Sequence, residues 1–171
     1  MKTETQTSPE LQHVADLVKD ISVAMLTTQD STGALVSRPM AALEMDATGT
    51  LWFFTDTRSS KVAHLHKINL SFSDAASGTY VSLAGRGEVD TDRSHIKRLW
   101  TVFARPWFQD GPDSQFLALL KFRPDAADYW DAPDSKMVRA WGMLASVVAG
   151  KPIAMGESGS HKGLTAVASA P

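Results

Sequence analysis

Leu35-Val36-Ser37-Arg38-Pro39-Met40, followed by Leu51-Trp52-Phe53-Phe54-Thr55-Asp56-Thr57-Arg58-Ser59-Ser60-Lys61, decides how this chain folds. Each half starts as an apolar strand and ends in groups that bind phosphate. The Arg38 guanidinium can make paired hydrogen bonds to phosphate oxygens, Lys61 adds a compact positive charge, and Thr55, Ser59 and Ser60 supply neutral donors. Two such strands side by side would set an aromatic wall beside a cationic, hydroxyl-rich pocket, a combination that suits flavin mononucleotide (FMN). An ordinary amphipathic sheet with a solvated rim fits the same residues, because apolar strands flanked by charges are what most sheets look like.

Outward from this stretch the pattern is mainly β. Ser8-Pro9-Glu10 places a capping hydroxyl, a proline and an acid ahead of Leu11, Val14, Ala15, Val18 and Ile21 at helical spacing, so a short helix opens the fold. Residues 23–28 and 34–38 read as a hairpin around Asp30-Ser31-Thr32-Gly33, and Asp46-Ala47-Thr48-Gly49 turns the chain into the strand 50–55. The spacing predicts a helix over 59–67, a strand over 69–74, and a long strand over 79–89 whose Gly85 and Gly87 suggest a bulge or a close backbone approach. Asp92 can cap a helix carrying Ile96, Leu99, Trp100 and Phe103 that halts before Pro106. Residues 106–112 read as an ordered loop, 116–122 and 126–131 as two last strands, 136–149 as a closing helix, and the chain from Gly150 as a loosely held tail. The organisation expected is a polar extension over 1–8, one domain over 9–150 and a Gly/Ala/Ser-rich tail over 151–171. Six to seven strands with peripheral helices favour a closed or split antiparallel barrel over a parallel sheet.

Composition narrows the chemistry. At 171 residues the chain suits a single domain. Its 17 Lys and Arg against 19 Asp and Glu argue against a general grip on nucleic acid or anionic lipid, so any anion site must be local. The lack of cysteine removes disulfides, thiolate catalysis and Cys-ligated zinc, and fits a reducing cytoplasm. No stretch approaches the roughly 18 uninterrupted apolar residues of a membrane span.

The usual catalytic motifs are missing too. Gly85-Arg86-Gly87-Glu88-Val89-Asp90 lacks the third glycine of a dinucleotide fingerprint and sits inside a strand. Gly156-Glu157-Ser158-Gly159 misses the nucleophile-elbow spacing by one residue. On a helix His64 and His66 would point about 200° apart, and His13, His95 and His161 are scattered, so no metal site and no catalytic side chain is expected. If the protein is an enzyme, a cofactor with its own reactivity is the economical explanation; a non-catalytic binding module is compatible with the same facts.

Taken in order, Ser37-Arg38-Pro39-Met40, Leu51-Trp52-Phe53-Phe54-Thr55-Asp56, Ser60-Lys61-Val62, Tyr80-Val81-Ser82-Leu83-Ala84-Gly85, Leu99-Trp100, Trp107-Phe108-Gln109-Asp110-Gly111 and Tyr129-Trp130-Asp131 resemble the general stress protein 26 branch of the pyridoxamine 5'-phosphate oxidase-like superfamily. That resemblance implies an FMN-binding split β-barrel that forms a homodimer, with cofactor clefts between the subunits and a small-molecule electron donor or acceptor. By position Arg38 and Lys61, helped by Ser59 or Ser60, would hold the phosphate. Phe54 and Thr55 would line the ring and ribityl chain, and Pro39 and Met40 would run along the ring edge. Trp130 resembles the tryptophan given by the partner subunit, and Trp107 would either close the cleft or serve as a core or interface aromatic; Trp52, Trp100 and Trp141 read as packing residues. The authentic oxidases carry Arg-Lys where this chain has Ser60-Lys61, and they end in an Arg-x-His segment that nothing after Trp130 supplies, so pyridoxine 5'-phosphate oxidation itself is not expected. The functions left are a flavin-dependent oxidoreductase linked to stress response, a flavin-binding or storage protein without turnover, or the same barrel holding deazaflavin or haem.

Overall fold

Apolar alternation sets the strand pairing. The computed structural model describes residues 1–131 and 157–164. In chain order these form β1 (Lys2–Thr3), α1 (Pro9–Val18), β2 (Val23–Gln29), β3 (Leu35–Met45), β4 (Leu51–Asp56), β5 (Ile68–Asp74), β6 (Thr79–Asp90), α2 (Arg93–Leu99), β7 (Leu117–Asp131) and β8 (Glu157–Lys162). Six of the strands close on themselves: β2 pairs with β3 and β5, β5 with β6, β6 with β7, β7 with β4 and β4 with β3, all antiparallel. Over the described residues the protein is thus mostly β, a closed antiparallel barrel with two extra strands and two short helices. β1 lies parallel on β3, so part of the polar extension joins the sheet, and β8 lies antiparallel on β7.

Residues opposite one another share a face, which lets the interior be read across the barrel. Leu26, Leu70, Leu83 and Ala127 form one row through β2, β5, β6 and β7, and all four are buried. The helix α1 covers this core with Leu11, Val14, Ala15 and Val18, and its first turn is capped by Ser8 Oγ, which accepts from the Leu11 backbone N–H at 3.2 Å. A second, smaller cluster lies outside the barrel, where Trp52, Ile96, Leu117 and Leu119 are buried and Phe54, Leu99, Trp100 and Phe108 pack around them.

The last two expected strands are one. β7 runs through Pro124, which lacks the N–H a central strand needs. Two features absorb that loss. The register against β6 shifts between Ala84 and Gly85, and the other edge of β7 changes partner from β4, ending at Phe122, to β8, beginning at Ala126. Gly85 is required there, since a Cβ would run into the Arg123 carbonyl oxygen, so the close backbone approach expected from the glycines is real.

Other expectations need correction. The helix over 59–67 is only a single 3-10 turn, Ser60–Ala63, so His64 and His66 sit on irregular chain and the helical-angle argument does not apply to them. No group of three potential metal ligands forms among the described residues. α2 stops at Leu99, because Trp100 leaves the helical region and lays its ring 5.6 Å from that of Phe54; Phe103 lies in a separate 3-10 turn, Val102–Ala104, and is exposed. The tail is not loosely held over Glu157–Lys162. There Gly159 leaves room for the Tyr129 ring, His161 stacks on that ring at 5.6 Å, and Leu164 is buried. The helix expected over 136–149, with Trp141, lies outside the described residues, as do 151–156 and 165–171. Among the described residues no helix is long and apolar enough to cross a membrane.

Candidate functional site

Arg38 stands opposite Leu26 and so enters the buried row as its one charged member. Its Nη1 donates to Thr28 Oγ1 at 3.1 Å, and Thr28, two residues along β2 on the same face, is itself buried. Toward this end of the barrel the β3–β4 ladder stops at the Ala42–Phe53 pair. Met40, Pro39 and Arg38 on one strand and Phe54 and Thr55 on the other therefore run past their last mutual pairing, while β4 stays bonded to β7 as far as Asp56. The wall is split there.

Thr55 has the inward parity of Leu51 and Phe53 and is only 2% exposed, yet its hydroxyl has no hydrogen-bond partner among the described residues. An orphaned hydroxyl in such a place costs about 1 to 3 kcal/mol unless a partner supplies what water did. Past Asp56 the chain turns sharply: Thr57 N–H donates to the Phe116 carbonyl at 2.9 Å, and Ser59 N–H to the Asp56 carbonyl at 3.0 Å. This turn delivers Lys61, 9% exposed, with its Nζ donating to Ser59 Oγ at 3.3 Å.

Two cations therefore lie within electrostatic reach of each other. Burial first, and then the positive charge of Arg38, hold the Lys61 ammonium below its ordinary pKa, with Asp56 opposing them. Among the described residues neither Arg38 nor Lys61 forms a salt bridge. A buried ammonium bonded to a serine hydroxyl and within reach of a guanidinium is a donor set suited to a phosphate ester. The nearest carboxylate along the chain, Asp56, is occupied: Arg58 donates Nε to Oδ1 at 3.0 Å and Nη2 to Oδ2 at 2.6 Å, and this pairing pulls the Asp56 pKa down to about 2.

Of the residues expected to form the site, Lys61 bonds Ser59 and lies within electrostatic reach of Arg38, Thr55 is buried near the end of β4, and Ser60 starts the 3-10 turn in an exposed position. Pro39 is exposed opposite Met25, and the Met40 side chain is buried opposite Ala24. The Phe54 ring is committed elsewhere, 5.6 Å from Trp100 and 6.1 Å from Phe108. Trp107, 77% exposed, and Trp130, 55% exposed and opposite Tyr80, stay in solvent within this chain. Trp52 and Trp100 are packing residues as expected, and Trp52 Nε1 donates to Asp46 Oδ2 at 2.9 Å. Sequence reasoning missed Thr28, Asp56 and Arg58. Asp56-Thr57-Arg58 carries the signal of an Asx-turn, realised as Arg58 N–H donating to Asp56 Oδ1 at 2.8 Å, whereas Thr28 is visible only once the strand register is known. A cavity of about 290 Å³ lined by Ser8, Glu10, His161 and Lys162 lies where α1 meets β8 and shares no residue with the cationic cluster.

The family model described as pyridoxamine 5'-phosphate oxidase like matches residues 9–153. Among curated proteins the chain is similar to Protein bli-3 of Neurospora crassa, 26% identical over 165 residues, covering 89% of this chain and 79% of that protein. Among solved structures it resembles a putative general stress protein 26 from Jannaschia sp. CCS1, 25% identical with a TM-score of 0.72, over 91% of this chain and 99% of the other. It also resembles the general stress FMN/FAD binding protein of Xanthomonas citri, 30% identical with a TM-score of 0.63, over 75% of this chain and 93% of the other.

Proposed function

We propose, because the chain belongs to the pyridoxamine 5'-phosphate oxidase-like family and holds two cations without salt bridges among the described residues at a split in its barrel, that it binds FMN there and acts as a flavin-dependent oxidoreductase linked to stress response. One observation carries this reading. Lys61 and Arg38 lie within electrostatic reach of each other with no salt bridge among the described residues, and the Thr55 hydroxyl near the end of β4 has no partner among them.

Lys61 and Arg38 bind the phosphate, and its charge would restore the lysine toward its ordinary pKa. Ser59 Oγ can accept from Lys61 and donate its own proton to a phosphate oxygen at the same time. Thr55 offers its hydroxyl to the phosphate or the ribityl chain, and Pro39 and Met40, paired with β2 but past the end of the β3–β4 ladder, run along the ring edge. A flavin held there would supply redox chemistry between a reduced nicotinamide or another small donor and a small acceptor or oxygen. The protein's part is to anchor, orient and shield it.

A second copy of the chain would complete the site. The outward faces of β2, β3 and β6 expose Val23, Met25, Leu35 and Tyr80, and the Trp130 side chain stands beside Tyr80 on β7. Exposed apolar residues in such number mark a surface that is covered in use, and Trp130 and Trp107 are the aromatics that a partner subunit would bring to the ring. Purified protein is expected to be yellow, or to take up FMN at micromolar concentration, and to elute as a dimer. Colourless protein that fails to bind added FMN refutes the cofactor; a monomeric mass with FMN bound refutes the shared cleft. Rapid bleaching of the bound flavin by NADH or NADPH in stopped flow supports turnover, and its absence favours storage.

A further inference from the structure

An ionised carboxylate is out of place beside a phosphate site, and Asp56 is one. It ends β4, its carbonyl accepts the Ser59 N–H at 3.0 Å, and Ser59 in turn receives Lys61 Nζ at 3.3 Å. Its negative charge reaches Lys61. Left open, it would repel any phosphate held there.

The carboxylate is not left open. Arg58 binds both its oxygens through Nε and Nη2, at 3.0 and 2.6 Å, and its backbone N–H adds a third bond at 2.8 Å. The guanidinium is held on its other side as well, with Cζ 3.9 Å from the centre of the Phe116 ring, and Phe116 is tied to the same turn through its carbonyl and Thr57 N–H. The arginine side chain is 63% exposed, so the pair contributes little to folding stability. A planar fork clamped between a carboxylate and an aromatic face is a costly ordering of a surface side chain unless it serves the neighbouring site.

We propose that Arg58 is a positioning residue for phosphate binding: by occupying Asp56 it cancels the negative field that this carboxylate would project onto a phosphate held by Arg38 and Lys61. The inference rests on the FMN reading given above. It goes further by assigning the phosphate site a built-in counter-ion pair and by giving Arg58 a role that does not require it to touch the ligand.

The test compares FMN with riboflavin, the same ring system without the phosphate. Arg58→Ala is expected to raise the dissociation constant for FMN about three- to tenfold at low ionic strength, with the difference shrinking as salt is added, and to leave riboflavin binding unchanged. Arg58→Gln should do the same, and unchanged riboflavin binding shows that the fold is intact. The double variant Asp56→Asn with Arg58→Ala should return FMN binding to within about twofold of the parent, because the charge that needed masking is gone. A double variant as weak as Arg58→Ala alone would mean that Arg58 contacts the phosphate directly, and an unchanged FMN-to-riboflavin ratio in Arg58→Ala and Arg58→Gln would overturn the proposal outright. Lys61→Ala separates the two levels. If it weakens FMN but not riboflavin while the Arg58 variants are silent, only the masking role falls; if it changes both ligands equally or neither, the phosphate site is wrong and the masking role goes with it.

Discussion

Two buried charges in this barrel are treated in opposite ways. Glu44 on β3 is 1% exposed, and its carboxylate takes a fork from Arg98 at 3.1 and 2.8 Å together with Lys2 Nζ at 3.1 Å. Every charge there has its opposite, and the hydrogen bonds from Arg98 hold the Glu44 pKa below the ordinary carboxylate value despite burial. Lys61, buried to a similar degree, has a serine hydroxyl, a second cation nearby and no salt bridge among the described residues. The first arrangement is electrostatically closed and ties α2 and β1 to the barrel. The second has no salt bridge among the described residues, and on the reading proposed above an anion from outside completes it.

If that contrast is right, variants at the two places should fail in different assays. Arg98→Ala leaves a buried carboxylate with only Lys2, and is expected to lower unfolding stability by about 3 kcal/mol in a urea titration, with FMN affinity little changed. Lys61→Ala should do the reverse. Charge-assisted bonds to phosphate are worth roughly 1.5 to 3 kcal/mol each, so FMN affinity should fall about 10- to 100-fold by fluorescence titration, while the ligand-free protein stays as stable or gains slightly. Loss of stability without loss of FMN binding at Lys61 would make that lysine structural and dissolve the comparison.

Thr55→Val sharpens it on a neutral group. Removing a buried hydroxyl that has no partner, with its shape kept, should raise the stability of the ligand-free protein by up to about 1 kcal/mol and weaken FMN several-fold. A destabilised Thr55→Val would mean that the hydroxyl already has a partner.

The smallest effects are in the pH profiles, and their signs differ. Glu44 has a folded pKa below 4.5, so its contribution is present above that value and is lost as pH falls through the folded pKa. Arg98→Ala should shrink this acid limb. Lys61 is a base whose folded pKa lies below 10.5, so the unfolded chain binds the proton more tightly. Between the folded value and 10.5 the ligand-free protein should therefore gain stability as pH rises, over the same window in which FMN affinity falls. Lys61→Arg should hold FMN to higher pH, since a guanidinium keeps its proton there.

How far these features could be read in advance depends on the distance over which they are written. The α1 cap, the hairpin at Asp30-Ser31-Thr32-Gly33, the strand around Phe53 and the bulge glycine Gly85 are each carried by a few adjacent residues, and all are found in the structure. Arg38, Thr55, Ser59 and Lys61, the residues proposed to hold the ligand, stand out in the sequence for the same reason. Phe54 was legible as strand but not as a ring turned toward α2, because the deciding contacts come from Trp100 and Phe108, far along the chain. The single strand through Pro124 was not legible either: local rules break a central strand at proline, and only the change of partner from β4 to β8 makes the break unnecessary. β8 gave no signal of its own, since Glu157-Ser158-Gly159-Ser160-His161-Lys162 is polar throughout and is held by the edge of β7 and the Tyr129 ring.

Residue order alone settled the antiparallel barrel and supplied the donor types from which a phosphate-bearing ligand is proposed, because hydrophobic period and donor type act between neighbours and need no knowledge of the whole. Which charges would be neutralised and which left waiting was settled by register, which carries Arg98 across 54 positions to Glu44 but brings Lys61 no salt-bridge partner among the described residues. An ion pair depends on distance in space, and only the closed barrel determines that distance.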